Sequence, residues 1–162
     1  MQLEFNMLLL FCQISIGGSY SMVENCINFL LSVSQHKVFK YYSKLLEEQG
    51  ITPAQVGILT CIWSKNNNKM TPKEIGLRLH LEAPTVSGIL DKMQKLELIH
   101  REVDPDNRRV VFVTTTEKAD TMRADIERAT EKMNKQVLQD FSSEETDLLQ
   151  KLLTRLINSK LS

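Results

Sequence analysis

Residues 71–116 read TPKEIGLRLHLEAPTVSGILDKMQKLELIHREVDPDNRRVVFVTTT: a short helix, a turn, a second helix, and two strands joined by a charged loop. That order describes a helix-turn-helix with a β-hairpin wing. The second helix carries most of the information. Val86, Ile89, Leu90, Met93 and Leu96 fall three and four apart, which places them on one stripe facing a core. The opposite face begins Pro84, Thr85, Ser87, Gly88 and continues to Asp91 and Lys92. A helix that merely faces solvent more often carries long Glu and Lys side chains. This face is small and hydroxyl-bearing at its N-terminal end, suited to sliding into a groove and bonding base edges or phosphates.

The wing follows at once. Ile99–Val103 (IHREV) and Val110–Thr114 (VVFVT) are rich in β-branched and apolar residues, as strands are. Between them lies Asp104-Pro105-Asp106-Asn107-Arg108-Arg109. Asp and Asn form turns because their short polar side chains satisfy nearby backbone, and Pro presets φ. Arg108 and Arg109, carried beyond the helix on a hairpin, suit the minor groove, where negative potential is concentrated. The bland alternative is that they pair with Asp104 and Asp106 in solvent. Beside a helix of the recognition type, nucleic-acid contact is the reading adopted.

These residues together resemble the winged-helix core of the multiple-antibiotic-resistance regulator (MarR) family of bacterial transcription factors. The matching fragments are Thr71-Pro72 with Glu74-Ile75, Pro84-Thr85-Val86-Ser87 leading to Leu90, Arg101, and the DPDNRR wing ending in Thr116-Glu117-Lys118. Each is a weak motif alone; their order and spacing are fairly specific. With the flanking helices the likeness runs from about Val23 to Leu161. The family's wing usually has an Asp bracing the arginine that enters the minor groove. Here Asn107 stands at that position and Arg109 is the braced arginine, so the brace loses its charge. Glu97 and Ala119 replace two usual glycines, and Glu82 replaces a usual Ser or Thr helix cap. None of these departures removes a DNA-facing group. The resemblance implies a homodimer on an inverted-repeat operator. It also implies that a small molecule or an oxidant shifts the spacing between two DNA-reading heads, a change of populations.

The chain of 162 residues is one domain's worth. Its formal net charge is zero, with 20 basic and 20 acidic residues, so bulk charge does not point to nucleic acid. The argument rests on where the charges sit. Residues 1–21 do not fit the rest. Met7 to Ile16 is apolar but short of the ~18 residues that span a membrane, and no Lys or Arg precedes it as in a secretory signal. Gly17-Gly18, a few codons before Met22, matches translation of a ribosome-binding site. The expectation is a start at Met22, with residues 1–21 a non-native or disordered extension. The rival is a genuine arm that packs on a partner subunit.

From Val23 to Glu48 apolar residues recur at helical spacing, and Gly50 is placed as a C-cap. Thr52-Pro53-Ala54-Gln55 and Thr71-Pro72-Lys73-Glu74 are capping boxes with Pro at the first helical position, which fixes two helix starts around the polar stretch 65–69. After the wing, Thr116 to Phe141 reads as one long helix whose Ala119, Met122, Ile126, Ala129 and Met133 make a narrow seam. Such a seam packs either on the chain's own first helix or on a second subunit. Ser142 and Glu145 cap a last helix with a broad apolar face: Leu148, Leu149, Leu152, Leu153, Leu156 and Ile157. This is more apolar helix than a small winged domain needs to cover itself, and dimerisation explains the surplus.

The reading is thus a mainly α fold with β structure in the wing. A winged helix-turn-helix DNA-binding domain spans 51–116, and helices at 22–50 and 117–162 form a dimerisation region. The expected partners are double-stranded DNA, a second copy of the chain and a small-molecule effector, with no membrane association.

Cys12, Cys26 and Cys61 are odd in number and lack metal spacing, which fits a reducing cytoplasm. The hydroperoxide-sensing branch of the family carries a reactive Cys near the start of its first helix. Counting back from Gln55 puts that Cys on Asn28, not Cys26, and the two tyrosines that hold its thiolate correspond to Ala54 and Val56. Cys26 therefore reads as a plain helix cysteine, with redox sensing the alternative. Cys61 reads as core. His36, His80 and His100 share no ligand spacing, so no metal is expected. No phosphate loop, cofactor loop or nucleophile constellation is present, so neither a cofactor nor enzyme activity is expected. A second class of function stays open: a winged-helix module that binds protein and never touches DNA, favoured by the neutral charge and by Asn107.

Overall fold

Both capping boxes expected ahead of the winged region form. Thr52 Oγ1 accepts the Gln55 N–H at 3.4 Å while Gln55 Oε1 accepts the Thr52 N–H at 2.8 Å. Thr71 and Glu74 make the same reciprocal pair at 3.2 and 2.8 Å. Each box satisfies two N–H groups that have no partner within the helix, and Pro53 and Pro72 follow where no N–H is needed. The boundaries of these helices were therefore fixed by local chemistry.

The computed structural model describes residues 25–160; the expectations for residues 1–21 and Cys12 lie outside them. The described elements are α1 (Ile27–Leu45), a 3₁₀ turn (Glu47–Gln49), α2 (Pro53–Trp63), β1 (Lys69–Met70), α3 (Pro72–Leu79), α4 (Ala83–Lys95), β2 (Ile99–Val103), β3 (Val111–Thr115), α5 (Glu117–Thr121), α6 (Arg123–Val137) and α7 (Ser143–Ile157). The three strands form an antiparallel sheet in the order β1-β3-β2. The wing register pairs Ile99 with Thr115 and Val103 with Val111. The chain divides into two compact units at Lys40 and Tyr41, so that α1 belongs to the first unit up to Lys40 and to the second from Tyr41.

In the second unit α2 is the central helix. Val56, Ile58, Leu59, Cys61 and Ile62 are all buried, as expected of a helix that is apolar around most of its circumference. Around it pack Tyr42, Leu46, Ile75, Val86, Leu90, Met93, Leu98, Ile99 and Val113. The seam of the post-wing helices joins the same core through Ala119, Ile126 and Ala129. Of the two options for that seam, it packs within its own chain. Tyr42 carries its hydroxyl into this packing and bonds Thr130 Oγ1 at 2.6 Å.

Four expectations need correction. The first helix ends at Leu45, and Gly50, at φ 65°, closes the 3₁₀ turn that follows rather than the α-helix. The post-wing segment is two helices broken at Met122, ending at Val137 rather than Phe141. Thr121 Oγ1 donates to the Lys118 carbonyl at 2.8 Å and the Met122 N–H bonds Ala119 three residues back, so a side chain and a tightened turn replace regular helical bonding there. The polar stretch 65–69 ends in a strand, β1, which pairs Lys69 with Thr114 and Met70 with Val113. The second wing strand begins at Val111, because the Val110 N–H is used to close the wing turn on the Asn107 carbonyl at 2.8 Å.

Candidate nucleic-acid interface

The helix-turn-helix depends on a tight corner. α3 ends at His80 in the left-handed region at φ 52°, and the Leu81 N–H turns back to the Gly76 carbonyl at 2.9 Å. A Cβ on Gly76 would stand 2.9 Å from the Leu81 carbonyl oxygen, so the corner requires glycine there. It launches α4 with Val86, Leu90 and Met93 buried and Ile89 half-buried. Pro84, Thr85, Ser87, Gly88, Asp91 and Lys92 all face outward, as the helical period requires. Glu82 precedes the helix without a side-chain cap, in keeping with its departure from Ser or Thr.

Leu96 does not belong to the buried stripe; it is 41% exposed. It is the C-cap of α4, after which Glu97 adopts φ 58° and the Leu98 N–H closes on the Met93 carbonyl at 3.0 Å. The turn delivers Leu98 to the core in place of Leu96. Two side chains from beyond the wing hold this end. Thr116 Oγ1 donates to the Glu97 carbonyl at 2.7 Å, and Lys118 Nζ donates to the Leu96 carbonyl at 2.8 Å. The Glu97 N–H also bonds the Gln94 carbonyl at 3.0 Å, so the usual glycine-type cap forms with Glu97 at its left-handed position, and Thr116 and Lys118 hold the carbonyls this cap leaves over.

The wing lies beside α4 and is tied to it. Arg101 Nη2 on β2 donates to Asp91 Oδ1 on α4 at 2.7 Å. An exposed pair of this kind contributes at most about 1 kcal/mol to stability, so its value is geometric: it sets the strand against the helix. It also neutralises the acid on the outward face. Nothing in the sequence pattern signals this pair; ten residues and a turn separate the partners.

At the tip, Asp104 Oδ1 accepts the Asp106 N–H at 2.9 Å, and the Asp104 N–H bonds the Val110 carbonyl at 3.0 Å. Asn107 does not brace the Arg109 guanidinium. Its Oδ1 accepts the backbone N–H of Arg109 at 3.2 Å, the geometry of an Asx turn, so it shapes the loop and leaves the side chain alone. Arg108 and Arg109 are exposed, and neither guanidinium is ion-paired among the described residues. Pairing with Asp104 or Asp106 is therefore not what this structure shows.

A second feature escaped sequence reading. A cavity of about 320 Å³ lies between α2 and α6, lined by Thr60, Trp63, Arg123, Ile126, Glu127 and Thr130. Trp63 Nε1 donates to Asp120 Oδ1 at 2.7 Å, and the Arg123 guanidinium stacks 5.3 Å from the indole centroid while bonding Glu127 at 2.9 Å. Trp63 was visible as an apolar position of its helix, but its partners lie some sixty residues on. Cys61 is buried, and burial raises its thiol pKa, with Arg78 partly opposing. Cys26 is exposed just ahead of α1, its carbonyl accepting the Leu30 N–H at 3.0 Å. Among the described residues no group of three His, Cys, Asp or Glu side chains is placed to hold a metal ion, and no helix is long and apolar enough to cross a membrane.

Residues 51–111 match the model of the MarR family. The chain is also 30% identical over 132 residues to the HTH-type transcriptional regulator MgrA of Staphylococcus aureus, covering 81% of this chain and 87% of that protein. The protein belongs to the MarR family. MhqR of Bacillus subtilis, another HTH-type transcriptional regulator, is 24% identical over the same length, covering 81% of this chain and 90% of its own. Among solved structures, a mutant of Escherichia coli MarR in complex with operator DNA superposes with a TM-score of 0.77 at 18% identity, over 86% of this chain and 99% of that one. The S. aureus MepR–DNA complex gives 0.72 at 22% identity, over 83% and 96%. At those identities the superpositions establish the fold. This MarR-family member is accordingly a winged-helix transcriptional regulator, and family and relatives alike are regulators rather than enzymes.

Proposed function

We propose that the protein binds double-stranded DNA as a homodimer, with α4 in the major groove and the wing arginines in the flanking minor groove. The observation that carries this is the unpaired state of Arg108 and Arg109 next to a small, outward-facing edge of α4. In a chain of zero net charge, two free guanidinium groups on one projecting loop concentrate positive potential where a phosphate backbone can use it. Pro84, Thr85, Ser87, Gly88 and Lys92 form the major-groove surface. Asn107 shapes the loop, and Arg101 with Asp91 aligns the two parts. The two fold neighbours solved on DNA supply the precedent for such docking.

Two copies follow from what is left uncovered. Ile27 and Leu30 of α1, and Leu148, Leu152 and Ile157 of α7, are exposed in the single chain. Apolar rows of this extent mark an interface. A two-fold pair of heads about 34–36 Å apart reads an inverted repeat. In this reading residues 51–116 are the DNA-binding domain, and 22–50 with 117–162 supply the dimerisation surface. The regulator acts as a repressor in the cytoplasm, and a small-molecule effector entering the Trp63 cavity shifts it away from the DNA-fitting state.

A salt titration of binding to promoter DNA tests the proposal. Phosphate contacts release counterions, so log K should fall steeply with log salt, and Arg109→Ala should flatten the slope by about 0.9 for each phosphate left unneutralised. Ser87→Ala should instead relax base preference with little change in slope. A salt-independent interaction with protein alone would favour the interaction-module reading.

A further inference from the structure

The five-residue helix α5 touches both regions that an effector-driven release from DNA has to connect. Its cap, Thr116, is moored beside the end of α4: the Thr116 N–H bonds the Leu98 carbonyl at 3.2 Å and its hydroxyl the Glu97 carbonyl at 2.7 Å. Two residues on, Lys118 Nζ reaches the Leu96 carbonyl, the C-cap of α4, at 2.8 Å. An ammonium there also faces the negative pole of that helix. Two residues further, Asp120 Oδ1 accepts the Trp63 indole N–H at 2.7 Å, beside the cavity between α2 and α6. One turn of helix thus carries a tie to the recognition helix and a tie to the cavity wall.

Packing does little to fix α5 in place. Ala119 is its one buried residue, and a single methyl buries too little to hold a helix against its polar ties. Nor is α5 a rigid extension of α6. At Met122 the backbone N–H turns to Ala119 three residues back, and regular helical bonding stops. The Trp63 indole spans that break. Asp120 holds its N–H from the α5 side, while Arg123, the first residue of α6, stacks 5.3 Å from its ring. The setting of α5 therefore follows the indole at one end and the close of α4 at the other.

We propose that Asp120 and Lys118 are positioning residues for DNA binding, which couple the Trp63 cavity to the recognition helix through α5. The assignment rests on the DNA-binding reading above. A molecule that enters the cavity and draws the indole N–H from Asp120 loosens the end of α4. By reciprocity, DNA seated on α4 changes the surroundings of Trp63. Both directions are measurable without an effector, because Trp63 is the chain's single tryptophan. The full chain first selects a duplex from a randomised pool. Saturation with that duplex should shift the tryptophan emission of the wild type, and Lys118→Met should remove most of the shift. Asp120→Ala should bind the duplex about 3–10-fold more weakly, through the loss of one partly screened hydrogen bond to a charged group. Asp120→Asn removes the same charge but keeps an oxygen for the indole, and should stay within about twofold of the wild type. With Lys118→Met already in place, adding Asp120→Ala should cost less than about twofold, since the path is already cut. These surface variants should melt within about 4 °C of the wild type, which excludes misfolding as the cause of weaker binding. Equal losses from Asp120→Ala and Asp120→Asn would make the effect one of charge alone and overturn the assignment. So would an Asp120→Ala cost undiminished by Lys118→Met, or a wild-type emission that DNA leaves unchanged. If the wild type enriches no duplex at all, the DNA-binding reading itself has failed and this assignment falls with it.

Discussion

The winged head and the last helix, α7, obey the same local rules and end in opposite conditions. Thr52, Thr71 and Ser142 each open a helix with a complete capping box. In the head those helices bury Val56, Ile58, Leu59, Ile62 and Ile75. α7 buries no residue, and Leu148 remains 55% and Ile157 60% exposed. Capping decides where a helix begins; burial, at about 1.5–3 kcal/mol per fully covered large side chain, decides whether it holds its place alone. The head is complete within one chain, while α7 leaves its broad apolar face uncovered.

The largest effect should come from attacking that uncovered face. Replacing Leu148 and Leu152 together by Glu places charge where the proposed partner chain packs. The heads should keep their fold, but the protein should sediment as a monomer. Affinity for a full inverted repeat should drop by about 10²–10⁴-fold toward that for a half-site, because the second head no longer benefits from tethering. A variant that stays dimeric and keeps its affinity would remove α7 from the interface and break the contrast.

Truncating one leucine in each region sharpens the same point. Leu90 is fully buried, so Leu90→Ala should cost about 2–5 kcal/mol through forfeited transfer energy and the cavity left behind. Leu152→Ala, followed by urea unfolding at a dilution where the chain is monomeric, should change stability by no more than about 0.5 kcal/mol. Comparable destabilisation at the two sites would mean that α7 is covered within its own chain.

What could be read beforehand follows the same division. Capping boxes and the three- and four-residue spacing of Val86, Leu90 and Met93 are local signals, and they placed the helix starts and the outward face of α4 correctly. β1 was missed because two residues show no alternation to detect, and its pairing with β3 is decided some forty residues away. The break at Met122 depends on a hydroxyl-to-backbone bond from Thr121, which the apolar periodicity does not register. Asn107 was assigned to the Arg109 side chain because sequence position does not distinguish a brace on a guanidinium from one on an N–H. The Arg101–Asp91 pair and the Trp63 cavity are tertiary arrangements, and composition carries no trace of them.

The head also holds a conformation that only a well-packed region sustains. Glu97, at φ 58°, sits where the family usually has glycine, and the bonds from Thr116 and Lys118 on either side of it fix the turn. A side chain in the left-handed region costs about 1–2 kcal/mol, part of which glycine gives back to the more flexible unfolded chain. Glu97→Gly should therefore stabilise the protein by about 1 kcal/mol, visible as a rise of about 2–4 °C in melting temperature. A fall would mean that the Glu97 side chain makes a compensating contribution to the fold.

The smallest effect concerns charge in a capping box of the head. Glu74 accepts the Thr71 N–H, which lowers its carboxyl pKa most, and pairs with Lys65 at 3.1 Å, which lowers it further. A carboxyl with a depressed folded-state pKa stabilises the protein above its unfolded value, near 4.5, and that contribution is lost as pH falls through the folded value. The side chains of Glu74 and Lys65 are 42% and 41% exposed, so water screens the pair and the charge contributes under about 1 kcal/mol. Glu74→Gln keeps an oxygen to close the box but carries no charge. The wild type should thus melt slightly higher than the variant above about pH 5, and the gap should close as pH falls through the folded-state value. A gap that stays constant across that range would show that the glutamate holds α3 by the shape of its cap alone, with no contribution from its charge.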